Sequence, residues 1–149
     1  MADAEPIPIV LCGRTVEVGS VVSELLRPEY EVIHFCSTAA AVEKEIPLLL
    51  SGNDPKPEIV ASNEVGTHNY TQPPRAVVFG RGSELDFVKE LQSMCRERSR
   101  AHVAWVIGDP SKAPAGPPPP GYAQSAADVV KRVLAKWKED GKDGAFLIY

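Results

Sequence analysis

The chain has 149 residues, 44% of them hydrophobic and 24% charged, and a formal charge of −4. That suffices for one globular domain whose core needs no metal or disulfide staple, and the acidic balance lacks the basic footprint of a nucleic-acid partner. The opening Met1-Ala2-Asp3-Ala4-Glu5 is acidic and Pro8 breaks the first apolar stretch, so neither a secretory leader nor a membrane span is read there. Cys12, Cys36 and Cys95 lie in apolar or helical segments without CxxC spacing, the pattern of buried, reduced thiols in a cytoplasmic protein.

The first predicted strand, Ile9-Val10-Leu11-Cys12, stops at Gly13. Its apolar residues are continuous, as in a strand buried on both faces, and a terminal glycine lets the chain turn sharply or a ligand approach the backbone. Thr15 then caps a helix whose Val18, Val21, Val22, Leu25 and Leu26 form one apolar face, ended by Pro28. Tyr30 to Phe35 is the second strand. Ser37 or Thr38 caps a second helix through Ala39 to Ile46, which Pro47 kinks or ends. Residues 53–74 are polar, turn-rich and studded with prolines; at that length they read as a surface insertion, a flap or a disordered loop, with Glu58 to Ala61 as a short extra strand.

Arg75 to Phe79, stopped by Gly80, is the third strand. Ser83-Glu84-Leu85-Asp86 matches a capping box and opens a helix with Leu85, Val88, Leu91 and Cys95 inward. His102 to Ile107 is the fourth strand. A proline-rich loop, 113–121, leads to a helix from Ser125 that buries Val129, Val130, Val133, Leu134 and Trp137, and Ala145 to Tyr149 is the last strand. This strict β-α alternation predicts a single α/β domain with a doubly wound, mostly parallel five-stranded sheet and helices on both faces. Right-handed crossovers allow the orders 2-1-3-4-5, as in flavodoxin-like folds, and 3-2-1-4-5; the first is favoured.

In that order the strand direction of travel reverses between the first and third strands, where α/β sheets bind ligands. Two loops gather there, Gly13-Arg14-Thr15 and Gly80-Arg81-Gly82-Ser83, each offering an arginine, a hydroxyl and the free amides of a helix start, a set suited to phosphate or carboxylate. Asp109, Ser111 and Lys112 follow the fourth strand beside them. Hydroxyls in such positions also serve simply as helix caps. Gly13 to Gly19 supplies the outer glycines of a dinucleotide fingerprint without the central one, and Phe35-Cys36-Ser37 lacks the acid that would meet a ribose, so NAD(P) is a cofactor with an incomplete fingerprint.

Other chemistries fit less well. A phosphoacceptor receiver needs acids where this chain has Cys12-Gly13 and Phe79-Gly80. A phosphatase loop starting at Cys12 needs arginine where Val18 stands, leaving Cys12 as a structural thiol. His34 and Cys36 share one side of their strand and face Cys12 if the strands are neighbours, but without metal-ligand spacing they read as core packing, and no metal site is assigned. Pro119-Pro120-Gly121-Tyr122 fits the PPxY pattern read by WW domains, or else a rigid loop delivering Tyr122 to the last helix.

Ile9 to Gly13, Tyr30 to Phe35 and Gly121-Tyr122 leading into the last helix resemble a group of small fungal proteins described as Rossmann-like or NAD(P)-binding. The resemblance spans most of the chain outside residues 53–74 and implies a Rossmann-like fold and little about activity. The expected protein binds a nucleotide or another anionic metabolite without complete catalytic machinery. The alternative is a non-catalytic interaction module, receiver-like or flavodoxin-like, that uses its insertion or proline loop to engage a protein partner or a second copy. Neither involves nucleic acid or membrane.

Overall fold

A computed structural model describes residues 6–52, 65–80, 85–95, 103–109, 111, 119–140 and 146–149. Its elements are β1 (Ile7–Cys12), α1 (Val16–Leu25), β2 (Tyr30–Cys36), α2 (Ala39–Leu50), β3 (Ala76–Phe79), α3 (Leu85–Cys95), β4 (Ala104–Ile107), α4 (Tyr122–Asp140) and β5 (Phe146–Ile148). All pairings in the sheet are parallel and the strand order is β2-β1-β3-β4-β5, as the alternation predicted. No described helix is long and apolar enough to cross a membrane.

The continuous apolar runs are explained by two buried faces. Ile9, Leu11, Val78 and Val106 meet Val22 and Leu26 near α1 and Val130, Leu134 and Trp137 of α4. Val10, Val77, Phe79 and Ile107 meet Val42, Ile46 and Leu49 of α2 and Val88 and Leu91 of α3. Each such side chain contributes about 1.5–3 kcal/mol on leaving water, which is why strands this short hold.

Several boundaries differ from expectation for local reasons. In α1, Val21 and Leu25 are 41% and 37% exposed, and buried Gly19 takes their place against the sheet. The ring of Phe35 lies so near that a Cβ on Gly19 would sit 2.4 Å from its Cε1. Thr38 caps α2, its hydroxyl accepting from the Ala41 amide at 3.1 Å. Pro47 lies inside α2 without ending it, and the Ser51 hydroxyl donates to the Pro47 carbonyl at 2.8 Å as the helix closes. α4 starts at Tyr122 rather than at Ser125: the Tyr122 amide bonds the Pro119 carbonyl at 3.1 Å in a turn with Gly121 at φ 82°, and the Ser125 amide already bonds Gly121. Pro119 to Tyr122 is therefore a turn and not an extended ligand segment. Ser83 and Glu84, and the strand proposed at Glu58 to Ala61, lie outside the described residues.

An irregularity in β2 sets which of its side chains face α2. Ile9 pairs with Val32 but Val10 pairs with His34, so Ile33 is an extra, bulged residue in β2. A one-residue insertion reverses the faces of all later side chains. Tyr30 and Val32 accordingly pack with the α1/α4 layer, as does Phe35, while Cys36 turns to the α2/α3 layer with His34 beside it. The bulge also directs the Val32 and Ile33 carbonyls outward, where they accept from the amides of Thr67 and His68 at 2.9 Å each.

The second part of the insertion is thus a strap along the open edge of β2. Val65 is buried in one core layer and Tyr70 packs against the other, so the strap wraps the sheet edge. Gly66, at φ 92°, allows the close approach: a Cβ there would lie 3.0 Å from the His34 amide nitrogen. Covering the edge satisfies backbone groups that would otherwise invite another strand.

Candidate functional site

The carboxyl ends of β1 and β3 lie side by side. The Gly13 amide donates to the Cys36 carbonyl at 3.1 Å and the Gly80 amide to the Cys12 carbonyl at 3.0 Å, bringing both predicted glycines to the switch point. Arg14 and Thr15 are exposed there. Thr15 occupies the N-cap position of α1, but its hydroxyl makes no cap hydrogen bond. Asp109 and Ser111 follow β4, one strand further on. They are tied to each other, the Asp109 carboxylate accepting from the Ser111 amide at 2.9 Å and hydroxyl at 2.7 Å. The Phe79 carbonyl at the end of β3 accepts from Gly108 and from the Tyr149 hydroxyl at 3.0 Å. Arg81, Ser83 and Lys112 lie outside the described residues.

Two surface grooves lie away from this edge. One, of about 330 Å³, is lined by Pro6, Pro8, Glu31, Asn69, Thr71 and Gln72 at the amino end of the sheet; a smaller one runs between α1 and the strap. Glu31 borders both, and an acidic wall does not suit an anion.

The densest chemistry lies on the α2 face beneath the switch point. The His34 Nε2–H donates to the Glu45 carboxylate at 2.6 Å, with both side chains at most 4% exposed. The other ring nitrogen, Nδ1, is 2.9 Å from the Tyr70 hydroxyl; it accepts that proton when the ring is neutral and donates to the oxygen when the ring is cationic. The Cys36 thiol points at the same Glu45 oxygen from 3.9 Å. Cys12 is the direct register partner of Cys36, and the two thiols interact. All three cysteines are buried and free, as their placement in the sequence predicted. His68, on the strap at φ 58°, sets its ring edge-on to His34 with centroids 6.4 Å apart.

Burial works against a charged His34, but its hydrogen bonds to Cys36 and Glu45 and the Coulomb attraction of the Glu45 carboxylate outweigh it and hold the imidazole above its ordinary value. The Cys36 thiol is pushed far above the usual range, first by its hydrogen bond to Cys12 and then by burial. At neutral pH it is therefore a thiol and no nucleophile. A folded-state pKa raised above the unfolded value of His34 contributes stability that is complete below about pH 6.5 and is lost as pH rises through the folded value. In metal-free protein, the stability difference between wild type and His34→Gln is expected to shrink from pH 6 to pH 9. A difference that stays level across that range in urea titrations would contradict a raised His34.

The sequence pointed to His34, Cys36 and Cys12 as neighbours but missed Glu45 and Tyr70. Glu45 sits one helical turn after Ala41 and directly before Ile46, both buried, so an acid on the inward stripe of α2 was the available signal. Nothing local marks Tyr70, which reaches the site only because the strap follows the edge of β2.

The parallel sheet in 2-1-3-4-5 order, with its glycines at the switch point, defines an α/β protein of the Rossmann- and flavodoxin-like class. The chain is 33% identical over 139 residues to Kojic acid related protein 6 of Aspergillus oryzae, an alignment covering 91% of this chain and 80% of that protein, and it belongs to the same family. No protein-family model and no solved structure matches it.

Proposed function

We propose that this is a small cytoplasmic Rossmann-like protein that binds a nucleotide or another anionic metabolite at the switch point, without complete catalytic machinery. The observation that carries the reading is that neither switch-point glycine is required by the fold. A Cβ on Gly13 would lie 3.6 Å from Phe35, and one on Gly80 3.8 Å from the Cys12 carbonyl, both ordinary contacts. Neither glycine has a positive φ. Bare backbone at a strand end leaves room for a ligand against the amides of α1. Arg14 and the Thr15 hydroxyl supply charge and a hydrogen bond beside them.

The turn at Pro119 to Tyr122 weighs against a proline-loop interaction module, because WW recognition needs an extended segment. The relative's name links that protein to kojic acid, which therefore belongs among the compounds tested.

The test is a thermal-shift screen against NAD, NADP, their reduced forms, FMN, ATP, coenzyme A, inorganic phosphate and kojic acid. A ligand at ~100 times its dissociation constant adds about 2.7 kcal/mol to the native state, readily visible as a higher Tm. An anionic ligand is expected to raise Tm in wild type and to lose most of that shift in Arg14→Ala. No shift with any compound, or a shift indifferent to Arg14→Ala, would remove the switch-point site.

A further inference from the structure

We infer that His34, Cys36 and Glu45 form a three-ligand site for a divalent transition metal of the zinc class. One donor atom from each, an imidazole nitrogen, a sulfur and a carboxylate oxygen, lies within 4.8 Å of the others, and all three residues are buried. They come from rigid elements. His34 and Cys36 stand two residues apart on one face of β2, turned inward by the Ile33 bulge, and Glu45 projects from the inner stripe of α2.

The donor set is the one that borderline-soft cations select, since imidazole and thiolate favour zinc-like metals over magnesium or calcium. Its charge closes as well. One thiolate and one carboxylate offset a dication, with neutral imidazole as the third ligand, so the loaded site is neutral in a place that water does not reach. Zinc bonds of about 2.0–2.3 Å hold tetrahedral ligand atoms roughly 3.3–3.8 Å apart. The Cys36–Glu45 separation of 3.9 Å lies just above that spacing. The 2.6 Å His34–Glu45 contact must open by less than ~1 Å, within reach of a glutamate rotamer.

The surroundings have the second layer that metal sites use. A ligating histidine has its other ring nitrogen held by a hydrogen-bonding group, which orients the ring. Tyr70 holds Nδ1 at 2.9 Å while Nε2 faces the Glu45 carboxylate. Cys12 lies directly opposite Cys36 in the register and packs beside the ligating sulfur. Tyr70 sits on the strap and is only half-buried, so the solvent side of the site is the edge of β2.

The test is a titration of the reduced, chelator-stripped full chain with Co²⁺, a spectroscopic substitute for zinc, followed by competition with Zn²⁺. One equivalent is expected to bind with a near-ultraviolet sulfur-to-cobalt charge-transfer band, and Zn²⁺ to bleach it. Cys36→Ser should abolish the band, and Cys95→Ser should leave it intact. Tyr70→Phe, which keeps all three ligands, should weaken affinity about 10–100-fold. Circular dichroism confirms that each variant is folded. Absence of stoichiometric binding overturns the assignment. So does a band that survives Cys36→Ser, or an affinity unchanged in both Tyr70→Phe and Glu45→Gln, which marks adventitious binding by thiols.

Discussion

Replacing His34 with leucine is expected to lower the unfolding free energy by about 3–5 kcal/mol, the cost of stripping a buried carboxylate of its hydrogen-bonded imidazole partner. Glu45 is 1% exposed, and the substitution strips its carboxylate of the imidazole 2.6 Å away. Loss of the Tyr70 contact to Nδ1 adds to the penalty. The double change His34→Leu with Glu45→Met is expected to recover most of that loss, because well-packed apolar residues often replace a buried pair at little cost. Urea denaturation at pH 7 in the presence of chelator measures both. A loss under about 1 kcal/mol in the single variant would mean that Glu45 finds compensation elsewhere. A double variant as unstable as the single one would make the pair a structural necessity. Recovery in the double variant has a functional implication: a polar cluster that the fold does not need for stability fits a ligand-binding role.

Gly19→Val is expected to destabilise the protein by about 1–3 kcal/mol through overpacking. Valine and glycine differ little in helix propensity, so the loss reports the clash itself. A Cβ there would fall 2.4 to 2.9 Å from three atoms of the Phe35 ring, and that ring is 2% exposed inside the α1/α4 core layer. Coupling tests the attribution. With Phe35→Ala in the background the clash disappears, so the double variant should lose less than the sum of the two single losses, by about 1 kcal/mol or more. Additive losses would show that Gly19 matters for another reason. Gly19 performs the task of the last glycine in a dinucleotide fingerprint, close helix–strand packing, in a turn that lacks the central glycine.

Much of the architecture was legible because it depends on local pattern. Five apolar strand runs interleaved with helical periodicity imply a parallel sheet, and right-handed crossovers leave few strand orders. The errors of detail came from tertiary contacts that no local window contains. Val21 and Leu25 carry the right period for the core but lie outside it, since Phe35 claims the Gly19 side of α1. Ser125 carries a capping signature, yet Gly121 in a left-handed conformation starts the helix earlier.

By itself the sequence determined the parallel α/β sheet, the two glycine turns at its switch point and the burial of all three cysteines. These follow from hydrophobic period and chain chirality, properties of residues and their near neighbours. Only the tertiary structure decided that His34 and Cys36 face α2, that Glu45 meets them and that Tyr70 closes the group from the strap. A single bulged residue, Ile33, reverses the faces of every side chain after it in β2. A strand that is apolar on both faces carries no alternation to reveal such a slip, so the contacts of His34 arise from pairing and packing across the chain.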